Sequence, residues 1–161
     1  MKDHIFSVDP WKIKEDHFDF AGIAARETLF TLGNGYLGIR GFHEEMIPSQ
    51  VRGVYVNGFY ESRPIVYGES AYGYADRSQT ILNCTDPCQL DLRFEGQLFS
   101  PLKSTLAQYS RELDLATGVL YRKLEWHPDL EGSFRLGIES WRVVPYETRH
   151  PAFFRYRVTL L

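Results

Sequence analysis

Leu29-Phe30-Thr31-Leu32-Gly33-Asn34-Gly35-Tyr36-Leu37-Gly38-Ile39-Arg40-Gly41 is the stretch on which the fold turns. Two apolar runs flank Asn34-Gly35, a pair that tolerates the positive φ angles of a tight hairpin turn. The same letters spell Gly33-x-Gly35-x-x-Gly38, the spacing of a dinucleotide-binding loop. Such a loop needs a helix opening straight after the glycines, because the helix N-terminus holds the pyrophosphate. Gly41 and Pro48 leave too little room for that helix, and Tyr36-Leu37-Gly38-Ile39 reads as strand. A β-hairpin is therefore expected here, and no cofactor.

Working outward, alternation with period two recurs, and almost no stretch shows convincing helical periodicity. Residues 51–60 put Val54, Val56 and Gly58 on one face and Tyr55, Asn57 and Phe59 on the other. Residues 88–94 alternate Cys88, Leu90, Leu92 and Phe94 with Gln89, Asp91 and Arg93. Glu95-Gly96 then turns the chain into Gln97-Leu98-Phe99, which Pro101 ends. Residues 106–113 lead through a turn at 114–118 to a hairpin partner at 119–126. Strands at 133–144 and 153–161 follow, the last alternating Phe154, Tyr156, Val158 and Leu160 with Arg155, Arg157 and Thr159. This spacing of strands and turns predicts an all-β antiparallel sandwich or barrel. Leu161 falls inside an apolar strand, so the chain is expected to stop before the natural domain does.

At 161 residues the length suits one domain. A formal charge of −3 and no basic cluster argue against a nucleic-acid footprint. No signal-peptide core or membrane-length apolar run is visible, so a cytoplasmic location and no membrane partner are expected. Aromatic residues reach 15%, which suits strand faces and also the lining of sugar sites. Cys84 and Cys88 are the only cysteines, and His17, His43, His127 and His150 are scattered, so two reduced thiols and no metal site are expected.

The ordered series Trp11-Lys12-Ile13, residues 27–41, Glu44-Glu45, Tyr55-Val56-Asn57-Gly58-Phe59-Tyr60 and Gln79-Thr80-Ile81-Leu82-Asn83 resembles the N-terminal domain of glycoside hydrolase family 65. Tyr109-Ser110-Arg111-Glu112-Leu113-Asp114, Gly118-Val119-Leu120 and Arg122 continue the likeness. The family includes maltose, trehalose and kojibiose phosphorylases. For residues 1–161 the resemblance implies a galactose mutarotase-like supersandwich, incomplete at its C-terminus. That sandwich would pack on an (α/α)6 barrel, absent from this chain, which carries the general acid and binds phosphate. The implied reaction converts an α-glucoside and inorganic phosphate, as co-substrate, into β-glucose 1-phosphate and a sugar with inversion. One carboxylic acid protonates the leaving oxygen while phosphate attacks the opposite face, so no second catalytic carboxylate is needed. The implied partners are an α-linked glucose disaccharide, phosphate, the barrel and a second copy in a homodimer. The alternatives are a free-standing carbohydrate-binding module and the same domain of a family 65 hydrolase.

No residue of this chain is assigned a catalytic role. Asn34, Tyr36, Arg40 and Tyr72 are the candidate substrate-binding residues. Tyr36, Tyr55, Phe59, Tyr60, Tyr72 and Tyr74 offer either a sugar-stacking platform or a docking surface for the barrel. The segment 61–77, rich in Tyr, Gly and Pro, reads as a long functional loop facing the barrel or its active-site mouth. Glu44-Glu45 reads as a solvated loop face, with Arg40 paired to one of the two. Asn34, Asn57 and Asn83 read first as turn residues.

Overall fold

Strand pairing organises the chain into three antiparallel sheets in the computed structural model, which describes residues 9–48, 50–131 and 133–161 and the backbone of 6–7. A six-stranded sheet has the order β1-β2-β9-β10-β11-β12. Its strands are β1 (Phe6–Ser7), β2 (Lys12–Glu15), β9 (Thr105–Asp114), β10 (Val119–His127), β11 (Leu136–Val143) and β12 (Phe153–Leu160). A four-stranded sheet joins β3 (Leu32–Gly33), β4 (Leu37–Ile39), β5 (Val54–Pro64) and β6 (Arg77–Asn83) in sequence order. A small ribbon pairs β7 (Arg93–Phe94) with β8 (Gln97–Leu98). The architecture is a β-sandwich, one of the two forms the alternation predicts and the one the family resemblance implies. Among the described residues, no helix is long and apolar enough to cross a membrane.

The opening segment forms a hairpin, closed by Leu32↔Ile39 and Gly33↔Gly38 pairs and by Asn34 N donating to Leu37 O at 3.1 Å. The turn sits one residue later than Asn34-Gly35 suggests. Gly35 and Tyr36 are its central residues, and only Gly35 has positive φ, at 84°. Asn34 instead caps the turn, its Oδ1 accepting from the Tyr36 and Leu37 amides. Glu95-Gly96 behaves as read: both residues have positive φ, 47° and 81°, as a type I′ turn requires. The β9–β10 hairpin also forms as read, in register from Val119↔Asp114 to Glu125↔Gln108, with a slip before Trp126.

Three readings need correction. Residues 88–94 are mostly irregular, and only Arg93–Phe94 pairs as strand. The span 61–77 is not one loop: β5 continues to Pro64 and β6 begins at Arg77, so the connection is 65–76. The simple alternation of residues 51–60 is broken where the register slips between Tyr55 and Tyr60, around Gly58 at φ 92°. A helix the alternation hid, α1, spans Ile23–Leu29. Its two turns are too short to show a period, and Ala24-Ala25 gives it good helix formers. The Gly41 amide donates to the helix carbonyl of Glu27 at 2.8 Å, which fastens the hairpin to α1.

Two apolar clusters fill the interior. One joins Phe30, Leu32, Ile39, Phe42 and Val54 to Leu113 and Leu120 of the larger sheet. The other packs Phe99 on Leu124, Trp126, Leu136 and Ile138. Gly41 runs tightly under Phe30: a Cβ there would collide with the Phe30 Cβ and lie 2.7 Å from its carbonyl carbon. Gly38 has open space at the same point. Gly41→Ala is therefore expected to lose about 1–3 kcal/mol of stability by overpacking. Gly38→Ala should change it by less than about 1 kcal/mol, since only local propensity is at stake. Urea unfolding followed by circular dichroism measures both.

Candidate functional site

The inward face of the large sheet carries a polar row where a core would be expected. Reading the pairs across, Glu15 on β2 faces Arg111 on β9, Arg111 faces Arg122 on β10, Arg122 faces Ser140 on β11, and Ser140 faces Tyr156 on β12. The first four are buried and Tyr156 is half-buried. Arg111 and Arg122 are like charges directly opposite one another, an arrangement that is unfavourable unless counter-charges reach it.

Glu44 and Glu45 supply those charges. They are 3% and 2% exposed, which overturns the solvated loop face expected for them. Adjacent strand residues diverge, but these two lie in a bend and both aim inward. Arg122 donates from Nη1 and Nη2 to the two oxygens of Glu45, each at 2.7 Å, and lies 2.8 Å from Glu44 Oε2. Arg142 donates to Glu44 Oε1 from Nε at 3.0 Å and Nη2 at 2.6 Å, and also to the Phe42 carbonyl. Tyr156 donates to Glu45 Oε1 at 2.7 Å. Arg111 donates to the Gly41 carbonyl at 2.8 Å and pairs with Glu15, which also pairs with Arg26 of α1 at 2.7 Å.

Arg40 does not reach Glu44 or Glu45. Its guanidinium turns back to α1, at 3.2 Å from the Ala24 carbonyl and 3.5 Å from Glu27. The partner of the 43–45 bend is Arg52, which holds φ at 37° while donating to the His43 carbonyl and pairing with Asp86. The Phe42 ring lies between the guanidiniums of Arg52 and Arg142, at 4.5 and 4.7 Å.

Titration follows this geometry. Burial pushes the Glu44 carboxyl up, but Arg122 and Arg142 outweigh burial and hold it at about 2. His43 is fully enclosed, with Nε2 2.8 Å from the Tyr109 hydroxyl, which in turn donates to Glu15 at 3.1 Å. Burial first, and then Arg111, Arg122, Arg142 and Arg26, force its pKa well below the usual imidazole value. Burial likewise raises the Tyr109 and Tyr156 hydroxyls.

The four substrate-binding candidates occupy different surroundings. Asn34 Nδ2 donates to the carbonyls of Pro145 and Arg149, and Tyr36 meets His150 edge-on at 4.7 Å, so these two grip one segment, 145–150. Arg40 serves α1. Tyr72 stands fully exposed in the 65–76 connection. Asn57 and Asn83 act as local braces: Asn57 donates to the Gly35 carbonyl, and Asn83 accepts from Val54 N and donates to the Arg52 carbonyl. Tyr67 and Tyr74 pair at 4.9 Å, while Phe59 and Tyr60 lie exposed on β5. Cys84 and Cys88 are free thiols, the second buried.

Glu44→Gln leaves Arg142 without its carboxylate and is expected to cost about 3–5 kcal/mol in chemical denaturation. Glu61→Gln, which breaks the exposed pair with Arg63, should cost less than about 1 kcal/mol. Acid should unfold the chain in two steps. Below the ordinary imidazole value of 6.5 the unfolded chain takes a proton that folded His43 refuses, so stability falls as pH drops from there. Below 4.5 the unfolded chain also protonates Glu44, which the folded state resists down to about 2, so the fall steepens. His43→Gln should flatten only the upper step in a pH series of unfolding free energies.

Comparison with known proteins agrees with this fold. The profile of glycosyl hydrolase family 65, N-terminal domain, matches residues 13–161. The α,α-trehalose phosphorylase of Thermoanaerobacter brockii is 36% identical over 155 residues, 94% of this chain and 20% of that protein. An uncharacterised glycosyl hydrolase of Mycobacterium leprae is 35% identical over the whole chain, again 20% of its own length. Kojibiose phosphorylase of Halothermothrix orenii is 28% identical over 92% of the chain and 17% of its own length. A solved structure described as a kojibiose phosphorylase from the human microbiome superposes with a TM-score of 0.83 at 25% identity, over 97% of this chain and 20% of that one. The chain thus spans about one-fifth of the length of these relatives. By profile, relatives and fold together, the chain belongs to glycoside hydrolase family 65, as its N-terminal domain.

Proposed function

We propose that this chain is the non-catalytic sandwich of an inverting disaccharide phosphorylase, which supports a catalytic barrel and shapes its substrate entrance. The observation that carries the reading is the state of the buried carboxylates. Glu15, Glu27, Glu44 and Glu45 are each paired with an arginine, so each serves to hold the scaffold. A general acid must instead cycle its proton at working pH, which the low pKa of Glu44 forbids. Relatives named as trehalose and kojibiose phosphorylases support phosphate as the co-substrate and an α-linked glucose disaccharide as the substrate.

The contact element in this reading is the β5–β6 arm. Beyond Asn57, β5 is exposed on both faces apart from the half-buried Glu61, and β6 is similar. Phe59, Tyr60, Tyr67, Tyr72 and Tyr74 give the arm an aromatic surface, to which Val66 adds an exposed aliphatic side chain. A two-stranded ribbon with neither face covered is marginal by itself, and docking on the barrel would complete it. Tyr72, free at the end of the arm, is the candidate best placed to meet substrate.

The test uses this chain alone and a chimera in which it replaces the matching fifth of the Thermoanaerobacter brockii enzyme. The chain alone should release no glucose 1-phosphate from trehalose and phosphate, and the chimera should release it. Replacing residues 65–76 by Asn-Gly should lower kcat/KM of the chimera by at least about tenfold. Turnover by the chain alone, or full activity without the arm tip, would overturn the reading.

A further inference from the structure

At one end of the sandwich lies a cavity of about 480 Å³, within the roughly 300–1,000 Å³ of ordinary small-molecule sites. Its floor is apolar: Leu32, Leu113 and Val144 belong to the core. Tyr146 lines it while 79% exposed, and its ring and hydroxyl have no partner among the described residues. Thr117, Thr148 and Glu147 add hydroxyl and carboxylate groups.

Both walls are preformed. On one side, Asn34 anchors the segment 145–149 through the Pro145 and Arg149 carbonyls, with Tyr36 braced on His150. On the other, Asp114 Oδ1 accepts from the Ala116 and Thr117 amides, and Gly118 closes the turn at φ 69°. A site whose walls are already ordered binds without the entropy cost of building them.

The charge of the lining selects the ligand. Asp114 and Glu147 line the cavity, and none of its lining residues is a lysine, arginine or histidine. A sugar phosphate or free phosphate would meet only like charge there. A pyranose offers a CH-rich face to an aromatic ring and an apolar floor, and an equatorial rim of hydroxyls to carboxylate and threonine acceptors. We infer that this cavity is a binding site for a neutral saccharide, with Tyr146 as its stacking surface. Asn34 and Tyr36 then contribute by positioning a wall and not by touching the sugar.

Amide-resolved NMR of the 161-residue chain tests this, with glucose, maltose and trehalose as probes and glucose 1-phosphate as the charged comparator. Neutral sugars should shift the amides of 114–118, 143–144 and 146–149 with Kd of about 1 mM, the range of a single small patch. Glucose 1-phosphate should bind at least about fivefold more weakly, as like-charge exclusion requires. Tyr146→Ala should weaken maltose or trehalose by about tenfold and Tyr146→Phe should restore most of it, because stacking needs the ring and not the hydroxyl. Because Tyr146 is exposed, neither change should alter the thermal midpoint. Absence of shifts in these segments at ten times that concentration (~10 mM), equal binding of glucose 1-phosphate, or an unaffected Tyr146→Ala would each overturn the inference. None of these outcomes bears on the phosphorylase reading, which the chimera tests by turnover.

Discussion

Two arginines facing each other inside a sheet set the terms for the rest of this molecule. Arg111 and Arg122 are directly paired on neighbouring strands and both are buried. Two like charges out of water must be met by counter-charges held in place by geometry. Glu15 meets them from the next strand, and Glu44 and Glu45 meet them from the segment that crosses above. Ionised groups withdrawn from water are costly unless paired and hydrogen-bonded. The covering segment can therefore sit in only one way, with Gly41 and Phe42 giving carbonyls to Arg111 and Arg142.

That requirement propagates. To deliver its carbonyl to Arg111, Gly41 must pass against Phe30, where no side chain fits. To hold the 43–45 bend, Arg52 accepts a positive φ and donates to the His43, Glu44 and Glu45 carbonyls as well as to Asp86 and Gln50. Arg26 links α1 into the same system through Glu15 and Asp19. A hydrophobic core of similar volume would be as stable by general experience with buried ion pairs. What the charged row adds here is orientation: the apolar clusters on either side of it are interchangeable in chemistry, and the ion pairs are not.

The parts of the fold set by short-range chemistry were legible in the sequence. Asn34-Gly35, Glu95-Gly96 and the 114–118 turn each mark a hairpin that forms, and β9 to β12 show their period plainly. The charged row was not legible for a definite reason. Arg111, Arg122 and Arg142 occupy inward positions of an alternation whose other inward members are Leu113, Leu120, Leu124 and Ile138. Charged residues are almost never fully buried unless paired, and the partners lie far away in the sequence. The signal was present only as that interruption: arginine where the apolar phase of β10 and β11 calls for an aliphatic residue. Two glutamates in tandem then pointed outward by strand logic, although a bend lets both point in. The helix failed by length, and the arm failed because Gly58 breaks the register on which alternation depends.

Burial separates a closed part of this domain from an exposed part. On β9, β10 and β11 the inward residues near the row are closed over. On β12, Phe154, Val158 and Leu160 face Arg142, Ile138 and Leu136 across the ladder yet keep a third or more of their surface exposed. The outward face of that strand is ordered differently, with the guanidiniums of Arg155 and Arg157 over the Trp141 ring of β11 at 5.1 and 5.2 Å. Charge on an edge strand discourages indiscriminate pairing while leaving the apolar face usable. The arm follows the same logic, because its root is pinned by Asn57 and Asn83 while its aromatic tip remains uncovered. An element fixed at the root and apolar at the tip gains stability only when a surface of matching shape covers it. The arm's root is tied to the ionic row through Arg52, whose carbonyl accepts from Asn83 while its guanidinium holds the 43–45 bend.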